Sequence, residues 1–126
     1  MLKTKRNPIS MRSQRGAALV EAAFVIPVLL LLVFGMIDIG LMIKDSSALH
    51  QVAREAARSY AVGGTPSVTA LAAKYGITNS AGVSVTNLVA PTTKGAQVSI
   101  SLSYTHQMIF LPGPKTLTAG MVMRRE

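Results

Sequence analysis

The chain has 126 residues, 49% of them hydrophobic, a formal net charge of +8, and neither cysteine nor tryptophan. That length holds one small domain at most, and the lack of cysteine excludes disulfides, thiol catalysis and cysteine-based metal sites. Lys3, Lys5, Arg6, Arg12 and Arg15 place five basic residues and no acid in residues 1–16, leaving eight basic against five acidic residues in 17–126 (+3). With no RNP-like aromatic motif and no zinc-finger spacing, this charge reads as a membrane-orienting flank and not as a nucleic-acid footprint.

After the basic leader, residues 17–43 read as a membrane span. From Ala17 to Ile37 the only charged residue is Glu21; Asp38 follows, and Ile39 to Ile43 are apolar again. About 20 apolar residues cross a bilayer as a helix, so the segment is long enough. Pro27 and Gly35 are compatible with a membrane helix, and Pro27 removes one backbone hydrogen bond and predicts a kink. The basic N-terminal flank places the N-terminus in the cytoplasm and everything beyond residue 43 in the periplasm or outside. Asp38 reads as the marker of the outer end of the span.

Glu21 is the anomaly. A charge at the centre of a membrane helix costs roughly 2.5–3.5 kcal/mol. Three readings compete: a cleaved secretory signal, with Ser46 and Ala48 as a distant small-x-small pair; an uncleaved signal anchor in which Glu21 snorkels to the cytoplasmic surface; and a leader trimmed after Gly16. In the third reading Ala17 becomes the first mature residue and Glu21 the fifth. A basic leader, Gly, Glu at the fifth mature position and an unbroken span resemble the type III signal of type IV pilin-like proteins, which a prepilin peptidase cuts. Cleavage between Gly16 and Ala17, next to Arg15, creates an α-amino group at the lipid edge. At about 4 Å and an effective dielectric near 20, it would attract a neighbouring subunit's Glu21 by roughly 4 kcal/mol before desolvation.

Residues 44–63 continue the helix. Leu49, Val52, Ala53, Ala56 and Tyr60 share one stripe, with Gln51, Arg54, Glu55 and Arg58 opposite, and Gly63-Gly64 ends it. The stripe is expected to pack on the chain's own head, residues 64–126. That head opens with a short helix, Thr65 as N-cap, Pro66 in its first turn and Gly76 as its stop. Three strands follow. Val83 and Val85 mark one; Val98, Ile100, Leu102 and Tyr104 alternate with serines in the strongest; Leu117, Ala119, Met121 and Met123 alternate in the last. "APTTKGA" and "LPGPK" are turns. The apolar "MIFLP", Met108 to Pro112, is too short to span and reads as loop packing or an exposed assembly contact.

No catalytic constellation is visible, so no enzyme is expected. The five acids are scattered, His50 and His106 lie outside any HExxH or other ligand set, and no G-x-S-x-G elbow or phosphate-binding glycine loop occurs. His106 reads as a surface or turn histidine. No metal and no cofactor are expected.

"RGAALVEAAFVIPVLLLLVFGMIDIG" and the later "VAREAARSYAVGG" resemble the TadE-like proteins of tight-adherence (Tad, or Flp) pilus systems. The resemblance covers about residues 15–64 and rests on Glu21, Pro27, the Gly35, Asp38 and Gly40 feature, and the Ala-Arg-rich stretch before the glycines. Ala22 stands where the family often has an aromatic, which, with the length, argues against the major Flp pilin. The resemblance implies a pseudopilin or minor pilin processed by a prepilin peptidase. Its partners would be other pilins or pseudopilins and the inner-membrane pilus assembly platform. It would be a single-pass inner-membrane protein, with a periplasmic head and with entry into an extracellular pilus left open. The alternatives are a general secretion pseudopilin and an uncleaved, signal-anchored periplasmic binding or regulatory protein. The expected fold is α+β: a long N-terminal transmembrane and amphipathic helix packed on a small antiparallel sheet, as in pilins.

Overall fold

A computed structural model describes residues 10–126, with side chains from residue 16 onward. Lys3, Lys5 and Arg6 of the leader, and the side chains of Arg12 and Arg15, lie outside the described residues. The structure divides after Met36 into two units.

The first unit is helical and belongs to α1 (Ser10–Ala61), which contains Pro27. From Leu19 to Met36 nearly every large apolar side chain is exposed. In water such a surface would be costly; α1 is long and apolar enough to cross a membrane by length and composition.

The second unit, Ile37–Glu126, is α+β, with the latter part of α1 packed on a three-stranded antiparallel sheet. Its strands are β1 (Val83–Val89), β2 (Gln97–His106) and β3 (Lys115–Arg124), in the order β1-β2-β3. Val98, Ile100, Leu102 and Tyr104 of β2 are all buried, as period-two alternation requires. Ile100, Leu102 and Tyr104 share one core cluster with Leu49, Val52, Ala53 and Ala56 of the helical stripe, together with Ala48 and Ala57. The stripe is thus the head's own core. β1 pairs with β2 through a register shift between Val85 and Asn87, and its burial is confined to Val83.

α1 ends as its glycines demand. Gly63 takes a positive φ of 87°, the Gly63 N–H donates to the Tyr60 carbonyl, and the Gly64 N–H donates to Ser59 at 2.8 Å. This double closure satisfies carbonyls that the last turn would leave free. The Arg125 guanidinium adds bonds to the carbonyls of Tyr60 and Pro91, fixing the C-terminus beside the helix end.

The short helix α2 (Val68–Lys74) differs from expectation at its start. Ser67 is the N-cap, its hydroxyl accepting from the Ala70 N–H at 3.4 Å, and not Thr65. Both hydroxyl residues suit a cap, but it is Ser67 that combines the extended backbone of a cap (φ −79°, ψ 108°) with the accepting hydroxyl. The helix therefore begins one hydroxyl residue later. Gly76 stops it with φ 73°.

Candidate anchoring and assembly site

The residues that the sequence nominates for processing lie in the first unit. Gly16 and Ala17 are helical and exposed, and Arg15 lies in the same run of α1. A Cβ added at Gly16 would meet nothing within 4 Å. Packing therefore does not require glycine there, and a glycine inside a helix costs about 1 kcal/mol relative to alanine. Glu21 is exposed and makes no hydrogen bond or ion pair among the described residues. Pro27 sits inside α1, leaving the Ala23 carbonyl without its usual i+4 donor.

In the second unit the structure brings together residues that sequence separation hides. The Asp38 side chain is fully buried. Its Oδ1 accepts the backbone N–H of Ile109 at 3.0 Å, and its Oδ2 accepts those of Phe110 at 2.8 Å and Leu111 at 2.7 Å. Three successive N–H groups converging on one anion form a nest, the arrangement in which backbone dipoles stabilise negative charge without a counter-cation. Asp38 thus does more than mark an end of the span: it ties the β2–β3 loop to the helix. The sequence signal was present but divided, an acid in an apolar run and an apolar loop closed by Pro112 and Pro114.

Seven residues along α1, Asp45 makes the second tie. Its Oδ2 lies 2.8 Å from His106 Nδ1, and the Thr78 hydroxyl donates to the same oxygen at 3.5 Å. Asp45 and His106 are both buried, which corrects the expectation of a surface or turn histidine. His106 is the last residue of β2, and the alternation that buries Leu102 and Tyr104 carries the imidazole inward as well. Asp45 Oδ1 and His106 Nε2 have no hydrogen-bond partner among the described residues, although Lys44 Nζ lies 3.9 Å from that carboxylate oxygen. Tyr104 stands edge-on to the imidazole, with ring centroids 6.4 Å apart. Burial, and then the charge of Asp45, push the Tyr104 phenol above its ordinary value, against a backbone hydrogen bond at Asn79.

The polar side of α1 forms an open cleft of about 290 Å³ with α2, lined by Gln51, Arg54, Glu55, Arg58 and Tyr75. Tyr75 donates to Glu55 at 3.1 Å and Lys74 lies 3.6 Å from it. Among the described residues, no three His, Asp or Glu side chains come together as a metal would need.

The helix that carries Gly16, Glu21, Pro27, Asp38 and Asp45 also decides the family comparison. The family model described as TadE-like protein matches residues 16–58. The chain carries a TadE-like segment. It starts at Gly16 and ends within the buried stripe, so it contains the apolar span and both acids that tie the head to the helix. No curated protein and no solved structure matches the chain significantly. At the level of the family, the TadE-like segment points to a protein associated with the Tad pilus, and its apolar helix is consistent with a membrane anchor.

Proposed function

We propose that the protein is a pseudopilin or minor pilin that acts in assembly of a tight-adherence pilus, and that its role is structural and not enzymatic. A prepilin peptidase cuts between Gly16 and Ala17, beside Arg15. The N-terminus faces the cytoplasm, the helix crosses the inner membrane, and the head is periplasmic. Other pilins and the inner-membrane assembly platform are its partners.

The observation that carries this reading is the pairing of Gly16 with Glu21 at the head of the TadE-like segment. Packing gives no reason for a glycine at 16, and Glu21 is left without a partner among the described residues. Both anomalies have one cause if Gly16 is read by a peptidase and Glu21 pairs with the new amino group of a neighbouring subunit. A glycine also lowers the cost of unwinding the helix around the scissile bond.

The test is the N-terminal mass of the membrane-extracted protein, with and without the host's prepilin peptidase. A chain starting at Ala17 only when the peptidase is present supports the proposal. Retention of residues 1–16 in both strains overturns it and leaves an uncleaved signal anchor.

A further inference from the structure

The β2–β3 loop presents three successive apolar side chains to the outside, with Ile109 67% exposed and Phe110 and Leu111 also exposed. A soluble loop is ordinarily polar, because its backbone and side chains face water. This one is built differently. The N–H groups of Ile109, Phe110 and Leu111 are all taken by Asp38, and Pro112 and Pro114 have none to offer. The backbone donors at the tip of the loop thus need no water, while its carbonyls can still be met by the hydrated interfacial layer. An irregular loop does not enter the hydrocarbon core, where every backbone polar group needs a partner, so this one can sit no deeper than the interfacial layer.

The level at which the loop is held is set by Asp38. Counting about 20 residues from Ala17, the apolar span ends next to Asp38. Ile37, Ile39 and Ile43, on either side of Asp38 along the helix, are exposed too, so α1 also presents apolar surface at the level where the loop is tied. Lys115, exposed at the loop's exit, suits an anionic headgroup.

We infer that the Ile109–Leu111 loop is a second membrane contact, seated in the interfacial layer of the bilayer that α1 crosses and held there by Asp38. The occupant of this surface is lipid. The loop fixes the head against the outer face of the membrane. This inference rests on the membrane-anchor reading above.

The chain has no tryptophan, so single tryptophans report on it cleanly. The full chain is reconstituted into vesicles of zwitterionic and anionic phospholipid with brominated acyl chains, bearing Ile109→Trp, Phe24→Trp or Thr92→Trp. Phe24 lies in the span, and Thr92 lies in the β1–β2 loop next to Pro91, whose carbonyl is held with that of Tyr60 at the far end of α1. Ile109→Trp and Phe24→Trp should each lose most of their emission and shift to shorter wavelength, while Thr92→Trp should do neither. Adding Asp38→Asn, which keeps shape and weakens the nest, should relieve the quenching at 109 but not at 24. Quenching at 24 with none at 109 overturns the loop contact and leaves the anchor standing. No quenching at either position removes the anchor and the loop contact together. Shielding at 109 that grows with the protein-to-lipid ratio identifies a neighbouring subunit as the occupant and overturns lipid. Undiminished quenching at 109 in the Asp38→Asn chain overturns the holding role of Asp38.

Discussion

Asp38 and Leu111 stand 73 positions apart, and the Leu111 N–H donates to the Asp38 carboxylate at 2.7 Å. With the matching bonds from Ile109 and Phe110, this is how a loop between two strands comes to be fixed on a helix. Replacing Asp38 with Ala should free three backbone donors at once. Hydrogen exchange of the amides of 109–111 should rise toward that of an open loop, while the amides of β2 around Leu102 stay protected. Unchanged protection at 109–111 would show that the loop holds itself.

The Asp45–His106 pair makes a different prediction. Asp45→Ala leaves a buried imidazole with neither nitrogen satisfied by the protein, since Nε2 already lacks a partner. The expected loss is about 1–3 kcal/mol, the cost of an unsatisfied buried polar group, seen as a lower midpoint in urea. Asp45→Asn retains an acceptor oxygen and should lose less. Equal losses for the two variants would mean that charge, and not the hydrogen bond, stabilises the site.

The core divides sharply along one register pair, Val85↔Leu102. Leu102 is fully buried, so Leu102→Ala should destabilise the head by about 2–5 kcal/mol. Val85 is 42% exposed, and Val85→Ala should stay within about 0.5 kcal/mol. Urea melts of the two variants, side by side, test whether the helix stripe and β2 form the centre of the head.

Tyr104 gives the pH dependence. Its phenol is raised above 10.0 in the folded chain, by burial first and by the Asp45 charge second. The unfolded chain therefore releases this proton at lower pH than the folded one. The contribution is fully present below the ordinary tyrosine value and is lost as pH rises through the folded one. Stability should fall at alkaline pH, and Tyr104→Phe should flatten that fall. An identical alkaline decline in Tyr104→Phe would assign it to other groups.

Gly16→Ala and Glu21→Ala separate processing from assembly. Among the described residues nothing near Gly16 obstructs a methyl group, so Gly16→Ala should insert normally and lose cleavage. Glu21→Ala should also insert and should be impaired in pilus assembly. Intact assembly in Glu21→Ala, measured as fibre yield, would argue against an intersubunit pair at this position.

The helices and strands were legible in local residue patterns. The span, the stripe from Leu49 to Tyr60 and the alternation from Val98 to Tyr104 all rest on local periodicity, 3.6 for the helix and 2 for the strand. Glycines at 63 and 76 likewise stop their helices through a backbone freedom that any neighbour leaves intact. Tertiary structure alone decided the ties. Asp38 and the 109–111 loop, and Asp45 and His106, meet across 61 to 73 positions. No local rule pairs an acid with backbone donors so far away. Their meeting depends on how the β2–β3 hairpin lies along the helix, which the whole core sets. The same burial that drove Leu102 inward took His106 with it. A polar group inside then requires a partner, and only the folded chain shows which one it found.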